Sequence, residues 1–260
     1  MQFQTVAYTE KDGILHMKMN RPEKRNALNW QIIREIRECF AEVAIKSSVE
    51  VVLLSGEGKC FSAGTDLTAF SAEGTMQDLR RLIRKNFQAT FNEIELLEKP
   101  VIALIHKYCF GGALELALSC DMRICTPDAL FNIPEVNMGM VPDGGGSQRL
   151  PRVIGLGRAK EMIMTGRIID AQKAERWGLV NEIVNHEDLE KTGIAWAKEI
   201  MANGMVSVGL AKRNVDMSMN MSIWDGLECA GLAQSIAFSD PTFMKLVEKR
   251  FQEQVKRKKG

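Results

Sequence analysis

"VIALIHKYCFGGALELALSCDMRICTP", residues 101 to 127, carries the order of elements on which the fold turns. It opens as a mostly apolar, strand-like run, meets two glycines, Gly111 and Gly112, continues as a helix from about residue 112, and returns to a strand around "MRICTP". The helical part is Gly, Ala, Leu, Ser and Cys with one charged side chain, Glu115. A lone buried carboxylate must be ion-paired, hydrogen-bonded or shifted toward its neutral form. Glu115 is therefore a catalytic acid or base, or the partner of a cation such as Arg123, although Asp121 lies nearer to that arginine in sequence.

Working outward, the same alternation continues. Residues 1 to 19 read as two short strands around the turn "EKDG", and "ALNWQIIREIRECFAEVAIK" places Ile32, Ile33, Ile36, Phe40 and Val43 at helical spacing. "EVVLLSG" is a short buried strand closed by glycine, followed by a helix near residues 77 to 98. Strands alternating with helices predict an α/β core with largely parallel pairing. From Gly155 onward helix follows helix, ending in one long helical segment from about Trp224 to Lys256. No Pro/Ser-rich linker divides the 260 residues, so the helical end is an extension of one domain or packs on a neighbouring subunit.

Composition removes several classes. The formal charge of +1 gives no field that steers the chain to nucleic acid or an acidic membrane, and the basic ending "VKRKKG" reads as a solvated tail. Six cysteines form no CxxC pair, and His16, His106 and His186 are too scattered for a local metal motif. Without a signal core, a basic presequence or an apolar run of about 18 to 20 residues, a cytoplasmic protein is expected. No serine stands in a recognisable nucleophile setting with a placed histidine, which disfavours a serine peptidase.

Three glycine-containing loops remain: "KCFSAGTDL" (59 to 67), "CFGGALELA" (109 to 117) and "VPDGGGSQRL" (141 to 150). None has the GK[ST] of a phosphate loop or the GxGxxG of a dinucleotide fold. The first two each follow a strand and offer backbone N–H groups at a turn, an arrangement able to hold a developing oxyanion or simply a tightly packed corner. Glu135, in "FNIPEVNMG", lies between a strand-like Phe131 and the third loop, as a second catalytic carboxylate or a solvated loop residue. Asp143 in "VPDGGGSQ" either serves chemistry or caps the helix that follows.

"NRPEKRNAL", "KCFSAGTDL", "GGALELALSCDMRI", "FNIPEVNMGMVPDGGGSQRLPRVIG" and "AERWGLVNEIV" resemble, in this order, the successive signatures of the crotonase family of enoyl-CoA hydratases and isomerases. The resemblance spans nearly the whole chain. It implies an α/β fold, a crotonase-like spiral of repeated ββα units over residues 1–200, with a helical C-terminal trimerisation region over residues 201–260. Two peptide N–H groups, of Thr65 and Gly112, would hold the thioester oxygen of an acyl-CoA; Thr65 stands where alanine is frequent. Glu115 and Glu135 match the two glutamates of the hydratases, the first activating water for attack on C3 and the second protonating C2. Asp143 departs from the better-known hydratases and points instead to isomerase or related enolate chemistry, or to an unusual cyclic, dienoyl or trimethylammonium-bearing acyl group. CoA would lie along Ala63, Gly64 and Asp66, with Lys24 and Arg25 near its phosphates and Phe238 and Lys249 reaching in from a neighbour. No metal and no cofactor beyond the substrate's own CoA is implied, and the partners are copies of the chain in a homotrimer or a hexamer of two trimers. RNA-binding relatives exist in the family, but the near-zero charge and the intact carboxylate pair count against that role here. The segment from 68 to 87, expected to be mobile, would set the depth of the acyl pocket.

Overall fold

The computed structural model describes residues 3–69 and 76–257. β1 (Val6–Lys11) and β2 (Ile14–Met19) form an antiparallel hairpin whose turn residues, Asp12 and Gly13, both take positive φ, the twist that fits a two-residue hairpin. Asn29 then caps α1 (Trp30–Ile45) by accepting a hydrogen bond from the Ile32 N–H, and the apolar stripe predicted from spacing is the buried face. β3 (Val51–Gly56) follows, and after residues 70–75, which lie outside the described part of the 68–87 segment, come α2 (Met76–Ile83), a π turn at Arg84–Gln88 and α3 (Ala89–Leu96). β4 (Val101–Ile105), β5 (Tyr108–Phe110), α4 (Gly112–Leu118), β6 (Met122–Cys125) and β7 (Leu130–Asn132) make up the centre. Beyond them run α5 (Gly146–Ile154), α6 (Leu156–Thr165), β8 (Ile169–Asp170), α7 (Ala171–Trp177), β9 (Glu182–Ile183) and α8 (Leu189–Met201). The chain closes with α9 (Met205–Ser218), α10 (Ile223–Phe238) and α11 (Thr242–Arg257).

The strands form a six-stranded sheet, β1-β2-β3-β4-β6-β9, and a three-stranded sheet, β5-β7-β8. Among the described residues, only β1 with β2 and β7 with β8 are antiparallel. Every residue of β3 and β4 is buried, as expected for parallel strands covered on both faces. Val52, Leu54, Ala103 and Ile105 join the main core with α1, α3 and α4, whereas Val51, Leu53, Ile102 and Leu104 pack beneath α8 through Leu189 and Ala197.

Two boundaries differ from the sequence reading. The strand-like run "VIALIHKY" is broken at Lys107, which takes φ 60°, so that β4 belongs to one sheet and β5 to the other. With neither glycine nor proline at the break, hydropathy alone reads it as continuous. The closing segment is two helices, because Pro241 has no N–H to carry α10 onward and Asp240 instead accepts from the Thr242 N–H (2.7 Å) to start α11. Among the described residues, no helix is long and apolar enough to cross a membrane.

Candidate active site

Parallel registers bring the three glycine loops together. Phe110 pairs with Asn132, so β5 and β7 end side by side, β5 running into Gly111–Gly112 and α4, and β7 into Pro134–Glu135. The Gly111 N–H donates to the Asn132 carbonyl (3.0 Å) and fixes that alignment. On the other side of β5, Ser62 bridges Cys109, drawing in the 59–67 loop. The third loop arrives as the start of α5, whose Gly146 N–H donates to Glu115 Oε1 (2.8 Å). The cleft thus lies at the C-terminal ends of parallel strands, where open α/β sheets bind ligands.

Both glycines of "FGG" are required by shape. Gly111 has φ 51°, and a Cβ there would sit 2.7 Å from Glu135 Oε1, while a Cβ on Gly112 would run into Thr65 Oγ1. Thr65 forms an isolated parallel bridge with Leu28, in which Leu28 donates to the Gly64 carbonyl and Asp66 donates to the Leu28 carbonyl. That pattern leaves the Thr65 N–H facing away from Leu28, and Gly112, the first residue of α4, has no partner within its helix. Neither N–H donates to a backbone carbonyl among the described residues.

Glu115 is 4% exposed in a helix buried on every side. It makes no ion pair among the described residues. Burial pushes its pKa up to about 8, the charges of Glu135 and Asp143 push the same way, and the Gly146 and Gly144 amides oppose them. Glu135 opens the 3₁₀ turn Glu135–Met138, and its Oε2 is buried with no hydrogen-bond partner among the described residues. Its pKa is also raised, chiefly by burial and further by Asp143. Asp143 is exposed at the rim, does not cap α5, and has its pKa raised by desolvation. Glu115 therefore lies within electrostatic reach of both other carboxyls, and Glu135 within reach of Asp143.

Arg123, the cation weighed as an alternative partner for Glu115, is engaged elsewhere. Arg123 donates to the carbonyls of Leu179, Ala117 and Cys120, and Asp121 pairs not with Arg123 but with Lys212 (2.9 Å). Around the first loop, the Ala63 N–H donates to the Arg25 carbonyl (2.9 Å), so the exposed Lys24–Arg25 turn does adjoin Ala63 and Gly64. The Asp66 carboxylate is engaged by the Thr68 hydroxyl (2.6 Å), the main cause of its lowered pKa, and by Arg21 (3.3 Å), which acts the same way. Arg21 escaped the sequence reading, as did Asn26, fully buried at positive φ and bridging the Arg21 N–H to the carbonyls of Glu57 and Cys60. Phe238 ends α10 and meets Phe243 edge-on (ring centroids 5.0 Å apart), and Lys249 is exposed on α11; α10 packs chiefly against α9. Ser55, His16 and Glu190 form a Ser–His–carboxylate string (2.8 and 3.5 Å), but Ser55 and His16 are buried under α8 and tie that helix to β2 and β3. No group of three metal-ligating side chains occurs among the described residues.

A spiral α/β core of this topology, with glycine turns and a buried and a half-buried carboxyl at its strand ends, defines a crotonase-fold protein. The profile of the enoyl-CoA hydratase/isomerase family matches residues 9–256, and the chain belongs to that family. It is 37% identical over 224 residues to the short-chain-enoyl-CoA hydratase of Clostridium acetobutylicum, covering 86% of this chain and 85% of that one. It is 40% identical over 228 residues to the mitochondrial Delta(3,5)-Delta(2,4)-dienoyl-CoA isomerase of Mus musculus, covering 83% of this chain and 69% of that one. The crystal structure of an enoyl-CoA hydratase from Bacillus anthracis superposes with a TM-score of 0.91 at 32% identity, covering 96% of this chain and 97% of that one.

Proposed function

We propose that the protein is an enoyl-CoA hydratase, adding water syn across the 2,3 double bond of an acyl-CoA thioester. The observation that carries this reading is the pair of carboxyls at Glu115 and Glu135, both desolvated, one of them with an unpartnered buried oxygen, beside two undonated amides. The Thr65 and Gly112 N–H groups hold the thioester oxygen. Glu115 takes the proton of the water attacking C3, and Glu135 delivers a proton to C2. Each amide stabilises the enolate-like charge between the two steps by about 3 kcal/mol. The test follows the ultraviolet absorbance of crotonyl-CoA: it falls with the wild-type protein and persists with Glu115→Gln or Glu135→Gln, and full activity in both variants rejects the reading.

CoA runs along Ala63, Gly64 and Asp66 with Lys24 and Arg25 near its phosphates, and no cofactor beyond it takes part. Residues 1–200 form the spiral core and 201–260 the oligomerisation region of a homotrimer or a dimer of trimers, in which Phe238 and Lys249 reach a neighbour's CoA. Support comes from the apolar side chains that α10 leaves exposed among the described residues, Ile223 and Trp224 each at 78%. Val215 and Met219, also exposed, line a cavity of about 1050 Å³ between α3, α5 and α9. Six free cysteines favour the reducing cytoplasm.

Asp143 supports a second reading, double-bond isomerisation, because it lies within electrostatic reach of both glutamates. Asp143→Asn then removes isomerisation of a dienoyl-CoA while Glu115→Gln spares part of it. The opposite pattern ends that reading.

A further inference from the structure

The loop that reaches Glu115 is held open by side chains the reaction does not use. Gln88, at the end of the π turn, donates from Nε2 to the Asp143 carbonyl (2.7 Å). Arg149, buried in α5, donates from Nη1 to the Gly144 carbonyl (3.1 Å). The guanidinium is fixed in turn by Asn92 (2.7 Å) and Glu95 (2.6 Å). Gln88, Asn92 and Glu95 follow at i, i+4 and i+7, one stripe on a continuous helical path. Two successive peptide oxygens are thereby turned away from Glu115 while the amides of Gly144 and Gly146 face it. Shape enforces the same arrangement. A Cβ on Gly144 would sit 2.6 Å from Glu115 Oε2, and one on Gly145, at φ 117°, would run into Arg149.

We propose that Gln88 and Arg149 are positioning residues that keep the 143–146 loop in its amide-inward orientation around Glu115. The role given to Glu115 rests on the hydratase reading; the orientation does not. Carbonyl oxygens rotated into the site would repel a carboxylate, and amides stabilise it, so the clamp moderates the rise in pKa that burial imposes. The other titratable groups facing Glu115, Glu135 and Asp143, act in the opposite sense. A π turn places Gln88 toward the loop while Phe87, its neighbour, stays buried against Phe91.

The experiment reads ionisation directly and needs no turnover. Protein carrying ¹³C-labelled glutamate carboxyls is titrated by NMR, with the Glu115 signal assigned by its loss in Glu115→Gln. Gln88→Met and Gln88→Ala, both at a partly exposed position, are expected to raise the midpoint by about half a unit or more. Arg149→Lys, which keeps the charge and one donor, is expected to move it less than Arg149→Met. Midpoints unchanged in both Gln88 variants overturn the proposal. An absence of hydration by the wild-type protein, with the midpoint shift intact, sinks the hydratase reading and leaves the clamp standing.

Discussion

Replacing Glu115 by glutamine is expected to stabilise the protein, and increasingly so as pH rises. A buried carboxyl whose pKa is raised binds its proton more tightly folded than unfolded, so its contribution is best at low pH and is lost between the unfolded and folded values. Here that window runs from the ordinary 4.5 up to about 8. One unit corresponds to about 1.4 kcal/mol, so ionising Glu115 costs the native state about 1 kcal/mol at pH 5, about 3 at pH 7 and close to 5 at pH 9. Glutamine keeps the shape and an acceptor for the Gly146 N–H but never ionises. Urea unfolding of both proteins at fixed concentration, at pH 5 and pH 9, measures the difference. A gap that widens by roughly 3 to 4 kcal/mol toward alkaline pH agrees with the structure. A gap that is flat with pH, or a variant less stable at pH 9, refutes the claim that this carboxyl is desolvated without a cation.

Activity should carry the same signature: with Glu115 as base, kcat/KM for crotonyl-CoA climbs as pH rises toward about 8, and a fall between about pH 6 and 8 assigns it the acid role instead. Gly144→Ala places a methyl 2.6 Å from Glu115 Oε2 and 3.0 Å from Phe91, so turnover should drop at least about tenfold with near-native circular dichroism, and wild-type turnover would contradict the loop geometry. Trp224→Glu charges the exposed α10 face; sedimentation should show dissociation of the proposed oligomer, and a variant with the same mass as the wild type rules this face out as the interface.

Elements with strong periodicity were legible in the sequence, as α1 and β3 illustrate. So were the glycine loops, because positive φ and close approach leave few alternatives to glycine at Gly111 and Gly112. Glu115 was legible as an isolated carboxylate in an otherwise apolar helix, whereas Glu135 also read as a solvated loop residue and was singled out only by the family resemblance. What stayed hidden depended on partners distant in sequence. Asp121 chose Lys212 over its near neighbour Arg123 because α9 folds back across the start of β6, and no local pattern encodes that. The clamp left a weak trace, polar Gln88, Asn92 and Glu95 along one helical stripe, which gains meaning only when Arg149 is seen against it. The break at Lys107 was invisible to hydropathy, because both strands it separates are apolar.

The central claim is that two carboxyls deliver water and proton to the same face of an acyl-CoA double bond. Running the wild-type protein with crotonyl-CoA in heavy water and reading the product by proton NMR tests it most directly. The account predicts 3-hydroxybutyryl-CoA with one deuterium at C2, added on the same face as the C3 hydroxyl. An anti product, or deuterium exchanged into recovered substrate with no hydroxyl formed, contradicts it.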